Sequence, residues 1–552
     1  MTAVAHLAPS PGRAARPGGG TLLRDQYLHA LQDLWRSRLT LAFSLALPLV
    51  WLLVIGAVAG NDVLDGTGGL RVMQVVTPAA AAMGLVFAAF PTVATTLAEA
   101  RDRRVLKRVL GSPLPIPLYL TARIAAAATF ALASVAVALA VGIVAYDVQL
   151  VPRTLPATLV TLAAGLGCFA ALGVATAALS RTAAAAQAGS VAIAVVLMFA
   201  SGTFMVGVEM PGWLSSAAAL LPLEPFTTSL QGQFDPHAAG GGWDGRTLLV
   251  LAFWGAGAVT VASIRFHVEP AAPRVVHHRG RGPADAARTP HPAQHSSRAR
   301  NGRALSSVSL VLDQARAADR AARRDSGAVF FAVVMPVGLH ALMVTLQGPD
   351  VTIDGVPFVS SFAASMAAWG LSVIAFMNLP EAVARARDRG ELKRLTGTPL
   401  RGWEYLAGRV MAGMWLSLIV ALLLMVTSFF LGAPLAVTDA LLVVPAVVLG
   451  TLAMAALGFA VAAACPTAEA VGALALVVLL PLAFVSDVFV VPLPDWMAGV
   501  GSVLPLHHVR GALLAARSPA DGAVPWGHLG ILLLWSVVAG AFALRFFRWE
   551  RR

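Results

Sequence analysis

Apolar runs of about twenty residues, enough for a helix to cross a hydrocarbon layer of about 30 Å, recur along the whole chain between short polar breaks. Six fall near residues 39–59, 73–98, 118–145, 156–179, 184–208 and 246–266. Six more fall near 328–347, 357–384, 405–431, 438–464, 468–491 and 526–545, and Pro336 in the first of these echoes Pro48. An amphipathic stretch precedes each set. In the first, Leu23, Tyr27, Leu31, Leu34 and Trp35 form a stripe at helical spacing with Arg24, Asp25, Gln32 and Arg36 off it, and residues 305–324 repeat the plan. Such stretches predict helices lying in the membrane surface. The pattern as a whole predicts an all-α polytopic membrane protein of twelve transmembrane helices, built as two tandem six-helix repeats.

One charged stretch occurs twice. Arg101, Asp102, Lys107, Gly111, Pro113, Tyr119 and Arg123 recur without a gap as Arg387, Asp388, Lys393, Gly397, Pro399, Tyr405 and Arg409. So many polar residues in one register signify a tandem duplication. Within each copy Leu106, Val109 and Leu110, or Leu392 and Leu395, fall on one side of a helix and the charges on the other. Gly111 and Gly397 are expected to end that helix in a left-handed cap. Ser112-Pro113 and Thr398-Pro399 are then expected to start the next helix, as a side-chain cap followed by proline at the first helical position. The result would be a bent cationic elbow between two spans. A second duplicated pattern lies after the fifth run of each set. Pro211, Trp213 and Pro222 have the spacing of Pro494, Trp496 and Pro505; a Trp there is expected at the headgroup level or at an outer gate.

Composition narrows the class. The chain of 552 residues is 58% hydrophobic and 12% charged, with a mean hydropathy of +0.76, which excludes an ordinary soluble domain. Its formal charge is +12, but the Arg residues flank apolar runs, as orientation signals do, so nucleic acid is not an expected partner. One buried Arg at a span centre costs about 2.5 to 3.5 kcal/mol, against about 0.3 to 0.6 gained per large apolar residue. The basic segments must therefore lie outside the bilayer. Both termini, both elbows, the central linker and Arg181 are basic, whereas Asp62, Asp65, Asp147, Glu209, Asp235, Asp350, Asp354, Asp439 and Asp495 mark the opposite loops. Twelve crossings with both termini cytoplasmic satisfy this division. Lysine occurs only at Lys107 and Lys393, at matching elbow positions. Cys168 and Cys465 are not repeat equivalents and suit neither a disulfide framework nor a metal site. His277, His278, His291 and His295 lie in a Pro-, Arg- and Ser-rich stretch without acidic partners, which reads as linker rather than metal site. The expected layout is a disordered cytoplasmic tail at 1–20, a six-span domain at 21–268, a disordered basic linker at 269–303 and a second six-span domain at 304–552.

The stretch Asp388, Gly390, Leu392, Arg394, Leu395, Thr398, Pro399, Leu400, matched in part by Asp102, Leu106, Arg108, Ser112, Pro113 and Leu114, sits between the second and third of six spans. Together with the Pro-x-Trp motif before the sixth span, it resembles the ABC-2 type permeases, the membrane subunits of type V ABC exporters. The likeness covers about residues 22–265 and 305–545; the first copy departs at Arg104, where the pattern has Gly. The resemblance implies two ABC-2 repeats whose elbows are coupling helices docking on an ATPase. The docking residues would be Asp102, Leu106, Lys107, Arg108, Ser112 and Pro113, with Asp388, Gly390, Glu391, Leu392, Lys393, Arg394, Thr398 and Pro399.

No Gly-x4-Gly-Lys-Ser/Thr occurs, since both lysines precede Arg, so this chain does not hydrolyse ATP through a Walker A loop and is not expected to be an enzyme. ATP-Mg would sit on a partner ATP-binding subunit, in two copies, with no cofactor bound directly. The resemblance also implies a route lined by the second and fifth spans, hence Met83, Phe87, Phe204, Phe376, Asn378 and Phe489, for a small amphipathic or apolar cargo. The Ala-, Gly- and Arg-heavy composition fits a high-GC bacterium and its cytoplasmic membrane; the resemblance implies a cargo among antibiotics, lipids, polysaccharide precursors and haem-related compounds, with multidrug or antibiotic export and antibiotic resistance as the expected role. The competing class is a twelve-helix secondary transporter driven by an ion gradient. That class needs ionisable groups within the membrane; Glu99, Glu381 and Asp487 lie toward span ends, and His340 is solitary.

Overall fold

The computed structural model describes residues 19–36, 38–63, 69–112, 114–202, 212–265, 306–348, 351–353, 355–395, 397–398, 400–433, 437–489, 494–517 and 524–546. Residues 1–18, the expected linker at 269–303, and Pro113, Pro399, Phe204 and Pro211 lie outside them. The expected tail is shorter than read, because the first helix already begins at Gly19.

The first half runs α1 (Gly19–Arg36), α2 (Arg38–Val58), α3 (Val72–Asp102), α4 (Val105–Leu110), α5 (Ile116–Tyr146), α6 (Leu155–Leu179), α7 (Ala183–Ala200), α8 (Gly212–Ala218), α9 (Leu223–Gln233) and α10 (Gly245–Arg265). The second half runs α11 (Ser307–Arg324), α12 (Ser326–Val329), α13 (Met335–Gln347), a two-strand ladder of β1 (Thr352–Ile353) and β2 (Val356–Pro357), then α14 (Phe358–Ser372) and α15 (Leu379–Asp388). It continues through α16 (Glu391–Leu395), α17 (Gly402–Phe430), α18 (Val437–Ala464), α19 (Ala468–Val485), α20 (Asp495–Gly501), α21 (Pro505–Ala515) and α22 (Trp526–Phe546).

The molecule is an all-helical membrane protein in which, among the described residues, ten helices are long and apolar enough to cross a bilayer. The first and eleventh expected spans are helical as α2 and α19, of 21 and 18 residues, and their described side chains form the apolar stretches Pro48–Val58 and Ala470–Val485.

The second span is the axis of each half. The most apolar window of α3 is 94% buried and that of Phe358–Asp388 is 100% buried, whereas those of α10 and α22 are only 22% buried. Helix α3 is wrapped by α2, α5, α6, α7 and α9, and α14 with α15 by α13, α17, α18, α19 and α21. Small residues make this close approach possible, since apolar side chains gain little over lipid by burial and packing must hold the helices together. A Cβ at Gly173 of α6 would collide with the Phe90 carbonyl of α3, and one at Gly458 of α18 with the Phe376 carbonyl. The halves meet where α2 packs on α19 and α7 on α12. Phe199 of α7 lies against the core of the second half, and Phe484 of α19 against that of the first.

Three features depart from the sequence reading. Beyond each Pro-x-Trp motif a further helix folds, α9 or α21, for which no element is expected from the apolar runs; Leu223, Phe226 and Leu230 bury one face of α9. The loops after the first spans close as an antiparallel bridge, Val63 with Arg71 in one half and β1 with β2 in the other. Finally, two π turns, Phe330–Val334 and Val373–Asn378, widen helices of the second half. Each precedes a proline, Pro336 or Pro380, whose ring crowds the carbonyl four residues earlier and which has no N–H to donate to it. The wider turn makes room for that ring. Pro48, the counterpart of Pro336, sits in an ordinary α-helix.

Candidate functional site

Both elbows have the same build. Asp102 ends α3 and Asp388 ends α15, and the chain then turns through a left-handed residue, Arg104 at φ 56° or Gly390 at φ 70°, into α4 or α16. The departure at Arg104 thus leaves the backbone unchanged. Leu106 and Leu392 are buried beneath the elbow helices, Leu106 beside Ala100, Val109 and Tyr119. Lys107, Arg108, Lys393, Arg394 and Glu391 are exposed. The apolar side anchors a short helix, and the cationic side faces outward.

The caps differ from expectation. Gly111 stands at φ −85° and Gly397 is not left-handed; the left-handed position lies before the elbow helix. Ser112 does not open the next helix. Its hydroxyl donates to the Val109 carbonyl at 2.7 Å and accepts from Leu114 N–H at 3.3 Å. Thr398 does the same with Leu395 and Leu400, at 2.7 and 3.4 Å. These hydroxyls close the elbow, and the third spans start later, at Ile116 and Gly402. There Glu404 accepts the Arg401 N–H at 2.8 Å. Arg123 donates to the Tyr119 hydroxyl at 3.0 Å and to Asp33 of α1 at 3.1 Å, tying the surface helix to the third span. Arg409 lies over the Tyr405 ring at 5.1 Å.

Asp102, exposed, and Asp388, half-buried, reach across to a neighbouring span, and their roles could not be read locally. Asp102 accepts the Ala183 N–H at 2.7 Å and Asp388 the Ala468 N–H at 2.8 Å, each at the start of a fifth span. The preceding arginines are buried and reach the end of the fourth span. Arg101 donates to the Ala177 and Ser180 carbonyls at 2.8 and 2.7 Å, and Arg387 to those of Cys465 and Pro466 at 3.1 and 3.2 Å. In each pair Nε and Oδ1 are 3.7 Å apart.

The opposite end of the bundle carries α8 with α9 and α20 with α21. Trp213 and Trp496 are exposed, at 61% and 65%, as headgroup anchors would be. Pro222 immediately precedes α9, Pro494 caps α20 and Pro505 is the first residue of α21. A matched pair missed in the sequence holds these helices down. Trp254 donates its indole N–H to the Leu220 carbonyl at 2.8 Å, and Trp535 to that of Val503 at 3.0 Å. The second half adds a polar network with no local sequence signal. Arg510 of α21 bridges Ser365, Ser361 and Asp487, at 2.9, 3.1 and 2.8 Å.

Nearby His508 donates from Nε2 to the Ser502 carbonyl at 2.8 Å, so its Nδ1, 2.9 Å from that of His528, accepts. The neighbouring imidazole of His507 is pushed down to about 4 by burial, reinforced by His508, His528 and Arg510. Among the described residues no group of three His, Cys, Asp or Glu is arranged to hold a metal ion.

The residues proposed for a route divide. Met83, Phe87 and Phe376 are buried in the cores of their halves. Asn378 is half-buried. Phe489 belongs to an aromatic group at the seam, 4.5 Å from Phe484 and 5.7 Å from Trp369 between ring centres. The buried Trp369 indole N–H has no hydrogen-bond partner among the described residues. His340 is packed, its Nε2 3.1 Å from the Ser428 hydroxyl and its ring stacked on Phe362. No curated protein matches the chain. One protein family does: ABC-2 type transporter, over residues 28–234 and again over 315–516.

Proposed function

Because the chain belongs to the ABC-2 type transporter family, we propose that it supplies both membrane halves of an ATP-driven exporter in a single polypeptide. As an ABC-2 permease it is multi-pass, lacks an ATPase of its own and works with an ATP-binding partner. The reading extends this to twelve crossings, two ATPase copies carrying ATP-Mg, both termini and both elbows in the cytoplasm, and a bacterial cytoplasmic membrane. Its cargo is an amphipathic or apolar compound, with drug or antibiotic export as the role.

The observation that carries the reading is the duplicated elbow: Leu106 and Leu392 are buried while Lys107, Arg108, Lys393 and Arg394 are presented outward. Two such surfaces on one chain fit two motor subunits. Closure of the motors would press the elbows, and α3 and α15 would carry that load into the core of each half. The seam between halves, with Phe199, Trp369, Phe484 and Phe489, offers apolar walls and one unbonded indole donor to a cargo once it opens. An ion-gradient carrier has less to work with, because Asp487 is engaged by Arg510.

The test is charge reversal of Lys393→Glu with Arg394→Glu. The variant should insert normally but lose both export and co-purification with the ATPase. Unchanged export would overturn docking through this surface.

A further inference from the structure

The fourth and fifth spans of each half meet at a short turn beside the elbow, residues 180–182 and 465–467. A helix C-terminus there carries partial negative charge and exposed carbonyls, and the next helix N-terminus carries partial positive charge and unbonded N–H groups. The Arg–Asp pair that begins each elbow answers both. Arg101 takes the Ser180 carbonyl and Arg387 its repeat equivalent, Cys465. Asp102 and Asp388 take the first helical N–H of the fifth span, while Thr182 and Thr467 cap the third, Ala185 and Ala470, at 3.1 and 3.2 Å. Both arginines are buried, at 4% and 7% exposure, so neither is a solvated orientation charge. The arginine bond to Ser180 or Cys465 and the aspartate bond to Ala183 or Ala468 recur in both halves over a separation of some eighty residues, while the second arginine acceptor differs, Ala177 in one and Pro466 in the other.

We infer that Arg101–Asp102 and Arg387–Asp388 are positioning pairs that lock each elbow to the turn between its fourth and fifth spans, so that a push on the elbow moves four spans together. Without them the elbow is joined covalently only to the second and third spans. With them, the fifth span, which forms half of the seam through α7 on α12 and α19 on α2, moves with the elbow. The pairs are thus a mechanical path from the docking surface to the contact between halves. This rests on the exporter reading above, but the lock itself is a property of the permease alone.

The experiment places spin labels at Leu110 and Arg181, both exposed, with the buried Cys168 and Cys465 left native. In the purified permease the distance between labels should be narrowly distributed, and Arg101→Met should broaden it. A distribution equally narrow in the variant would overturn the lock. With the ATPase bound, the wild-type distance should stay the same upon addition of ATP and magnesium; a changed distance would overturn concerted movement. Export by Arg101→Met should fall about tenfold, the loss equivalent to one buried hydrogen bond, while ATP hydrolysis continues, and Arg101→Lys should recover part of it. Wild-type export by the Met variant would also overturn the inference. Should Arg101→Met fail to accumulate, the two wild-type distance measurements still decide. Absence of an ATPase from the purified wild-type complex would instead count against the exporter reading, since the permease-only distances do not depend on it.

Discussion

The guanidinium of Arg510 lies 2.8 Å from the carboxylate of Asp487, joining helix α21 to the end of the fifth span in the second half, with Ser361 and Ser365 of α14 completing its bonds. Breaking one side of this half-buried pair leaves a partly desolvated group without its partner, at about 1 to 3 kcal/mol. Arg510→Met is therefore expected to lower thermal stability in detergent by several degrees or more. Combining it with Asp487→Leu should recover part of the loss; a double variant as unstable as the sum of the singles would show that the two groups do not interact.

Arg104 and Gly390 share a left-handed backbone, at φ 56° and 70°, but only glycine adopts it without strain. A Cβ at Gly390 would touch nothing, so Gly390→Ala reports backbone cost alone, about 1 kcal/mol. Arg104→Gly should stabilise its elbow by a similar or smaller amount. Calorimetric or fluorescence melting would check both. A destabilising Arg104→Gly would mean that the arginine side chain outweighs the strain.

Trp535 donates to the Val503 carbonyl and Trp254 to that of Leu220. Trp535→Phe keeps the ring but leaves that carbonyl without its donor, at about 1 kcal/mol. Faster amide exchange confined to α20 and the start of α21 is the expected signature. Exchange unaltered there, or accelerated throughout, would refute a local tether.

His507 is neutral in the fold because its pKa is depressed to about 4, while an unfolded histidine titrates near 6.5. The unfolded state thus binds more protons between these values. Stability is fully present above about pH 6.5 and is lost as pH falls toward 4. Hydrogen exchange or limited proteolysis at α21 should reveal this loosening on acidification, and His507→Gln should flatten it. An equally steep profile in His507→Gln would assign the titration elsewhere.

Much of the fold is legible because hydrophobic length and Arg placement are strong, local signals. The boundaries of α6, α10 and α22 fall within a residue or two of the apolar runs. What failed was chemistry whose partner is not nearby in sequence. Ser112-Pro113 has the form of a helix start, yet the Ser112 hydroxyl turns back to Val109, and the chain goes on through Pro115, extended at ψ 133°, before α5 begins. Asp102 looks like one more surface charge until α7 is placed beside it, 81 positions on. Cap statistics favour glycine after a helix and so point to Gly111 as the left-handed residue, whereas the turn that needs that conformation comes before the helix, at Arg104. Met83 and Phe376 are legible as membrane-buried residues, and both are fully buried.

The widened turn at Val373–Asn378 belongs to the second half, whereas α3 of the first runs as an unbroken α-helix. In an assembly of two identical subunits every such irregularity would appear twice. Joining the subunits end to end removes that constraint. The second half carries its widened turns and the Arg510–Asp487 ion pair while α3 of the first stays a regular helix, so one fused chain can be built differently from end to end.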